Sequence, residues 1–272
     1  MPKTFKVEKD YKDLRFDKWF KYQVIDIPHS LIEKIIRQNK VKVNKKKTKS
    51  SYRVQEGDII DIYDIEKIKP ITKKLSEKYK PNKKELYQYE HNIIENNENF
   101  VIINKPAGVP VQSGTKSFKN IVDILKKTKY FKDLKPYVVH RIDKETSGLL
   151  IVAKNRKFAQ LFTSLFRIRK IHKTYIAITY GKIPYSSKIL QDNLITFENN
   201  KRVSQKAVSH LKILKSNPAY SYVELKPITG RKHQLRKQLL NVGNPIIGDD
   251  KYFIPNIRNR KFKNLMLHAY KV

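Results

Sequence analysis

From about His91 onward the chain is punctuated by apolar runs of strand length: "FVIINKP", ended by Pro106, then "GLLIVAK", "TYIAITYGKI", "SYVELKPITG" and "LMLHAYKV". Turn-forming or charged residues bound these runs, as strands require. Three intervening stretches, "SFKNIVDILKKTKYF", "RKFAQLFTSLFRIRK" and "RKHQLRKQLLNVG", repeat apolar residues at i, i+3 and i+4, the spacing of a helix face. The third is stopped by Gly243. Many strands broken by a few helices predict an α+β domain over residues 91–272, with a mixed, mostly antiparallel sheet.

A smaller module precedes it, over residues 13–63. In "SLIEKIIRQNKVKVN" Ser30 and Glu33 form a capping box ahead of Leu31, Ile32, Ile35 and Ile36 at helical spacing. "KVKVN" alternates like a strand, and "GDIIDIY" reads as another. The basic turn "NKKKTKSSY" lies between them. This predicts a small α+β unit. Residues 64–90 are charged, hold Pro70 and Pro81 and lack clean periodicity. They read as a linker, with packing onto the larger domain as the alternative.

Charge narrows the partners. Lys and Arg total 59 against 25 Asp and Glu, a formal charge of +34. Such a surplus suits a polyanion, although a Lys-, Asn- and Ile-rich composition supplies many lysines for no functional reason. The chain has no cysteine, which excludes thiolate metal sites, iron–sulfur clusters and disulfides. The seven histidines show no metal-ligand spacing. No metal and no cofactor are expected. The start has no signal-peptide apolar core, and no run approaches the ~18 apolar residues of a membrane span. A cytoplasmic protein, acting as a monomer and away from membranes, is the expectation.

Against this basic background Asp143 stands out in "VVHRIDKETSGLLIVAKN". One apolar run leads into it and another leaves it. It reads either as a turn acid before Thr146-Ser147-Gly148, or as a partly desolvated carboxylate that needs a cation to stay ionised. In "PITGRKHQLRKQLL" a helix starting near Lys232 would set His233, Arg236 and Leu240 on one face, with Arg231 and Lys232 at its N-terminus. Cations there favour a docked anion; a solvated basic face is the alternative.

"NKPAGVPVQSG", "HRIDKETSGLLIVAK", "KTYIAITYGKI", "GRKHQLR", "PIIGDDKY" and "LMLHA" follow one another in an order that resembles the RluA family of pseudouridine synthases. The segment from "LRFDKWF" to "GDIIDIY" resembles an S4 RNA-binding domain. Within the family the "NKKKTK" turn and "RVSQKAVSH" look closest to the C group of large-subunit ribosomal RNA synthases, with the D group as competitor. Ile142 stands where relatives usually carry Leu. Relatives also commonly continue past "LMLHAYKV".

The resemblance implies the isomerisation of uridine to pseudouridine in large-subunit ribosomal RNA, by base flipping and without cofactor. Asp143 would be the nucleophile, by attack at ribose C1′ or base C6, or through a glycal. Tyr175 would lie against the base, and Arg236 would pair with Asp143. Leu235 would line the base pocket, and Arg141 would fill the space left by the flipped nucleotide. His140, Lys173 and Arg231 would assist substrate binding. In the S4-like module Arg37, Lys34, Lys42, Lys45 and Lys46, with Lys47 and Lys49 beside them, are candidate phosphate contacts, which position RNA rather than read its sequence. A non-catalytic RNA-binding or ribosome-assembly protein with the same fold is the rival reading.

Overall fold

The computed structural model describes residues 2–68, 79–113, 119–132, 134–198, 201–257 and 262–272. They fall into two compact units, 1–77 and 78–272.

The first unit runs β1 (Lys3–Lys6), α1 (Phe16–Gln23), α2 (His29–Arg37), β2 (Val41–Val43), β3 (Lys46–Lys47) and β4 (Ile59–Ile62). Its sheet is antiparallel in the order β1-β4-β2-β3. Strand β1 was not expected and lies ahead of residue 13. Phe16, Trp19, Phe20, Ile32, Ile35, Val41, Val43, Ile60 and Ile62 form the core. Each such burial contributes roughly 1.5–3 kcal/mol.

Two local readings change. The basic turn is a tight hairpin: Asn44 and Lys45 both have positive φ, 49° and 63°, as a type I′ turn requires. Asn44 then bonds Asp58 and the Ile59 N–H, and Lys46 and Lys47 pair with β2. The Ser30–Glu33 capping box does not form. Pro28 occupies the N-cap, its fixed φ already suited to a helix entry, and Ser30 falls inside the first turn.

The second unit runs α3 (Lys83–His91), β5 (Ile93–Asn96), β6 (Phe100–Lys105), α4 (Ile121–Lys126), β7 (Tyr137–Val138), β8 (Ser147–Ala153), α5 (Arg156–Arg167), β9 (Thr174–Tyr180), β10 (Ser187–Glu198), β11 (Lys201–Ser216), β12 (Tyr220–Pro227), α6 (Gln234–Asn241) and β13 (Leu267–Lys271). The sheet order is β10-β11-β12-β9-β13-β8-β6-β5, with β7 also on β8. Only the β13–β8 pairing among these is parallel, so the sheet is mixed and mostly antiparallel.

Within the stretch read as linker, residues 69–78 lie outside the described ones. Residues 83–91 form α3, capped by Asn82, which accepts from the Glu85 N–H. Tyr89 of α3 is buried with Ile121, Ile124 and Leu125, so this part packs with the second unit. Asn120 and Asn155 cap α4 and α5 in the same way as Asn82.

Topology brings the ends of β8, β9, β12 and β13 together. The parallel β13–β8 contact is close. A Cβ on Gly148 would collide with the backbone of Ala269, and Gly148 has φ +109°, a conformation that favours glycine.

Candidate active site

A cavity of about 500 Å³ opens where these strand ends meet the loop before β8 and the start of α6. Asp143, Tyr175, Leu235, Arg236, Arg141, Lys173 and Arg231 all line it. These come from three separate parts of the chain.

Asp143 sits in the β7–β8 loop, where its carbonyl accepts from the Thr146 N–H at 3.2 Å. Ile142 anchors the loop in the core. Lys105, wholly buried at the end of β6, anchors it from below. Its ammonium donates to the carbonyls of Pro106, Val109 and Lys144, at 2.7, 2.8 and 3.0 Å. Burial pushes this lysine down to about 8, against the pull of Glu145 and Asp143. Asp143 keeps 28% of its side-chain exposure, on the cavity.

Tyr175 on β9 packs with both halves of the core. Burial, and then the negative charge of Asp143, raise its pKa, so it is a neutral phenol at pH 7. Leu235, 6% exposed, supplies an apolar wall. Lys173 is partly buried; burial lowers its pKa, and its ammonium lies 6.0 Å from the Phe166 ring centre.

Two expected roles change. Arg236 does not hydrogen-bond Asp143. Its Nε and Nη2 donate to Asp249 at 2.7 and 2.6 Å, and Nη2 reaches Asp250 at 3.4 Å. Burial opposes the charge, but these bonds and the charges of Asp249, Asp143 and Asp250 raise its pKa. Asp249 is held in place for this by the Lys251 and Tyr252 N–H groups, which donate to its Oδ1 at 2.9 and 2.8 Å. His140 does not line the cavity. Its Nε2 accepts the Ile151 N–H at 2.9 Å, its ring stacks on Phe166 at 4.5 Å, and burial, then the charge of Lys173, push it down to about 3. It is a neutral packing residue beneath the loop.

His233, given no site role from sequence, lies against Asp143, with Nε2 3.9 Å from Oδ1. It is not in the helix. It has φ +53° and precedes α6, so the face expected to join it to Arg236 and Leu240 does not exist. Its Nδ1 lies 2.9 Å from the Tyr252 hydroxyl.

A buried polar network fixes the entry to α6. Gln234 accepts from Thr229 and the Arg231 N–H and donates to the Val208 carbonyl and Ser209, which donates to Gln238. Arg231 also donates to the Lys206 carbonyl. Every partner is satisfied, which is what makes such a network rigid. Glutamines in an amphipathic helix gave no sequence signal for this.

In the first unit Lys34, Arg37, Lys45, Lys46, Lys47 and Lys49 are exposed. Lys46, Lys47 and Lys49 border a second hollow of about 430 Å³ with Tyr52. Lys42 is half-buried over the Tyr63 ring at 5.5 Å. No helix among the described residues is long and apolar enough to cross a membrane.

The geometry can be set beside known proteins. Residues 99–241 match the model of the RNA pseudouridylate synthase family, and residues 14–60 that of the S4 domain. A Vibrio parahaemolyticus protein named ribosomal large subunit pseudouridine synthase C is 32% identical over 90% of this chain and 78% of its own. A Rickettsia conorii protein of the same name is 36% identical, over 95% and 88%. The structure of human RNA pseudouridylate synthase domain containing 4 superposes with a TM-score of 0.57 at 29% identity, covering 68% of this chain and 84% of that one. The chain belongs to the RNA pseudouridylate synthase family, and it carries an S4 domain ahead of the synthase domain.

Proposed function

We propose that the chain converts uridine to pseudouridine in large-subunit ribosomal RNA, with Asp143 as the nucleophile. The observation that carries this is the cavity. One partly exposed carboxylate faces an aromatic ring, Tyr175, and an apolar wall, Leu235, beneath a rim that includes Arg141, Lys144, Lys173, Arg231 and Lys232. A flat uncharged base fits the interior, and its phosphates fit the rim. The relatives' shared name supports ribosomal RNA of the large subunit as the substrate.

The reaction breaks the bond from C1′ to N1 and makes one from C1′ to C5. C5 loses a proton and N1 gains one, so the change is an isomerisation with no net redox. A uracil in a helix cannot reach a recessed carboxylate while stacked, so it must flip out, at a cost of a few kcal/mol. Arg141 is exposed at the cavity edge, where its guanidinium can stack in the vacated space. Tyr175 then serves as a platform for the base, and its neutral hydroxyl as a proton donor or acceptor at the ring. Arg236, committed to Asp249, supports the ionised Asp143 by charge rather than by direct bonding. The S4 unit adds phosphate contacts that position the RNA.

Because C5 gives up its hydrogen, large-subunit ribosomal RNA tritiated at uridine C5 should release tritium to water on incubation with the protein. RNA retained on a filter without tritium release would instead support a protein that only binds.

A further inference from the structure

The synthase reading leaves unexplained the pair that sits between Asp143 and the α6 turn. His233 Nε2 is 3.9 Å from Asp143 Oδ1, and its Nδ1 is 2.9 Å from the Tyr252 hydroxyl. The two rings meet edge to face, 5.5 Å apart. Tyr252 is itself held. Its backbone N–H donates to Asp249 at 2.8 Å, and the Arg236 guanidinium lies 5.0 Å over its ring. A continuous path therefore runs from the buried Arg236–Asp249 pair, through Tyr252 and His233, to the carboxylate.

Resting on that reading, we infer that His233, its tautomer held by Tyr252, is the residue that positions Asp143 for attack. A neutral phenol can donate to a ring nitrogen or accept from it, so the Asp143 end of the ring decides the direction. If Tyr252 donates to Nδ1, the neutral imidazole carries its proton on Nε2, and that N–H faces the carboxylate. The opposite tautomer would turn the Nε2 lone pair toward a negative oxygen, which is repulsive. Asp143 thus selects the Nε2–H tautomer, and the Tyr252 hydroxyl, donating to Nδ1, holds it. The separation of 3.9 Å is too long for a hydrogen bond and closes to one when the occupied cavity brings the two groups together, as catalytic contacts do on substrate binding.

His233 is neutral at working pH. Burial lowers its pKa; Asp143 opposes this, and Arg236, Lys251 and Lys232 add to it. Arg141, Lys144, Lys173 and Arg231 line the same cavity. A neutral donor orients the nucleophile without forming the tight ion pair that would blunt it.

The test uses the full chain. His233→Asn keeps a residue that tolerates positive φ, and Tyr252→Phe removes only the hydroxyl. Both variants should bind the RNA as tightly as the unsubstituted protein. His233→Asn should lower kcat roughly 10- to 100-fold, the loss expected for a hydrogen bond to a charged group, with KM within threefold. The acidic limb of its kcat profile, which reports the occupied site, should move to higher pH by roughly one unit, since the carboxylate there loses a donor. Tyr252→Phe should shift it the same way by less. Nitrogen-15 NMR of histidine-labelled protein, assigned with His233→Asn, should show His233 protonated at Nε2 alone, and a tautomer mixture in Tyr252→Phe. A raised KM with unchanged kcat, or an Nδ1-protonated His233, would overturn the inference. The NMR result needs no substrate, so it stands even if the RNA assigned above is the wrong one, in which case the unsubstituted protein would also be inactive.

Discussion

Arg236 gives its Nε and Nη2 to Asp249, at 2.7 and 2.6 Å, and neither side chain is more than 4% exposed. The arginine beside the proposed nucleophile is therefore anchored by a second acid, which also accepts the N–H groups of Lys251 and Tyr252. Asp249 sets the turn after α6 and the direction of Arg236 together.

Breaking that pair from one side leaves a buried charge. Asp249→Asn should therefore cost about 3–5 kcal/mol, read as a drop in the urea midpoint. It should also lower activity in the fraction that remains folded. A loss below about 1 kcal/mol would mean that water or Asp250 replaces the contact.

Lys105 ties the loop of Asp143 to the turn after β6 through three carbonyls, and three donors require the ammonium form. With its pKa pushed down to about 8, activity should fall as pH rises through that value. Stability follows the opposite sign. The folded pKa lies below the ordinary lysine value of 10.5, so between about 8 and 10.5 the unfolded chain holds more protons, and this group's contribution to stability rises with pH. An alkaline limb in kcat without a matching fall in melting temperature is the expected pattern. Lys105→Met should remove that limb and lower kcat; a limb that survives the substitution would belong to another group.

Gly148 is the second residue of β8, the strand that leaves the loop of Asp143. Gly148→Ala meets the backbone of Ala269 at a φ of +109°, where neither strand can yield without losing the parallel contact. A loss of at least about 2–3 kcal/mol is expected, measured by chemical denaturation. Near-neutral behaviour would show that β13 can move off β8.

With a formal charge of +34, RNA binding should release many counterions. The logarithm of the binding constant should fall steeply and linearly with the logarithm of salt. Replacing Lys46 and Lys47 together should reduce that slope by about 1 to 2 while leaving the choice of target uridine unchanged. An altered target with an unaltered slope would mean that the hairpin reads sequence.

Much of this was legible beforehand. The strands from Phe100 to Lys105, Ser147 to Ala153 and Thr174 to Tyr180 are apolar because they are buried in a sheet, and burial leaves a pattern. Asp143 stood out by its setting between two apolar runs, Tyr175 and Leu235 by resemblance, and the three share one cavity. The long β10–β11 hairpin escaped because its pattern is mixed; Leu190, Leu194, Ala207 and Leu211 are buried, but Ile189 and Ile195 next to them are exposed, so apolar and polar residues do not alternate cleanly. The partner of Arg236 escaped because two acids stood in range, and only the fold decides between Asp143 and Asp249. His233 escaped because its left-handed backbone takes it out of the helix to which its spacing assigned it.

The central claim is tested most directly by mapping pseudouridines in large-subunit ribosomal RNA, by carbodiimide modification and primer extension, after incubation with the unsubstituted protein and with Asp143→Asn. New stops at discrete uridines with the unsubstituted protein alone, while Asp143→Asn binds the same RNA equally well, are predicted. Equal stops with both proteins would remove Asp143 from the chemistry, and no stops with either would contradict the proposed substrate.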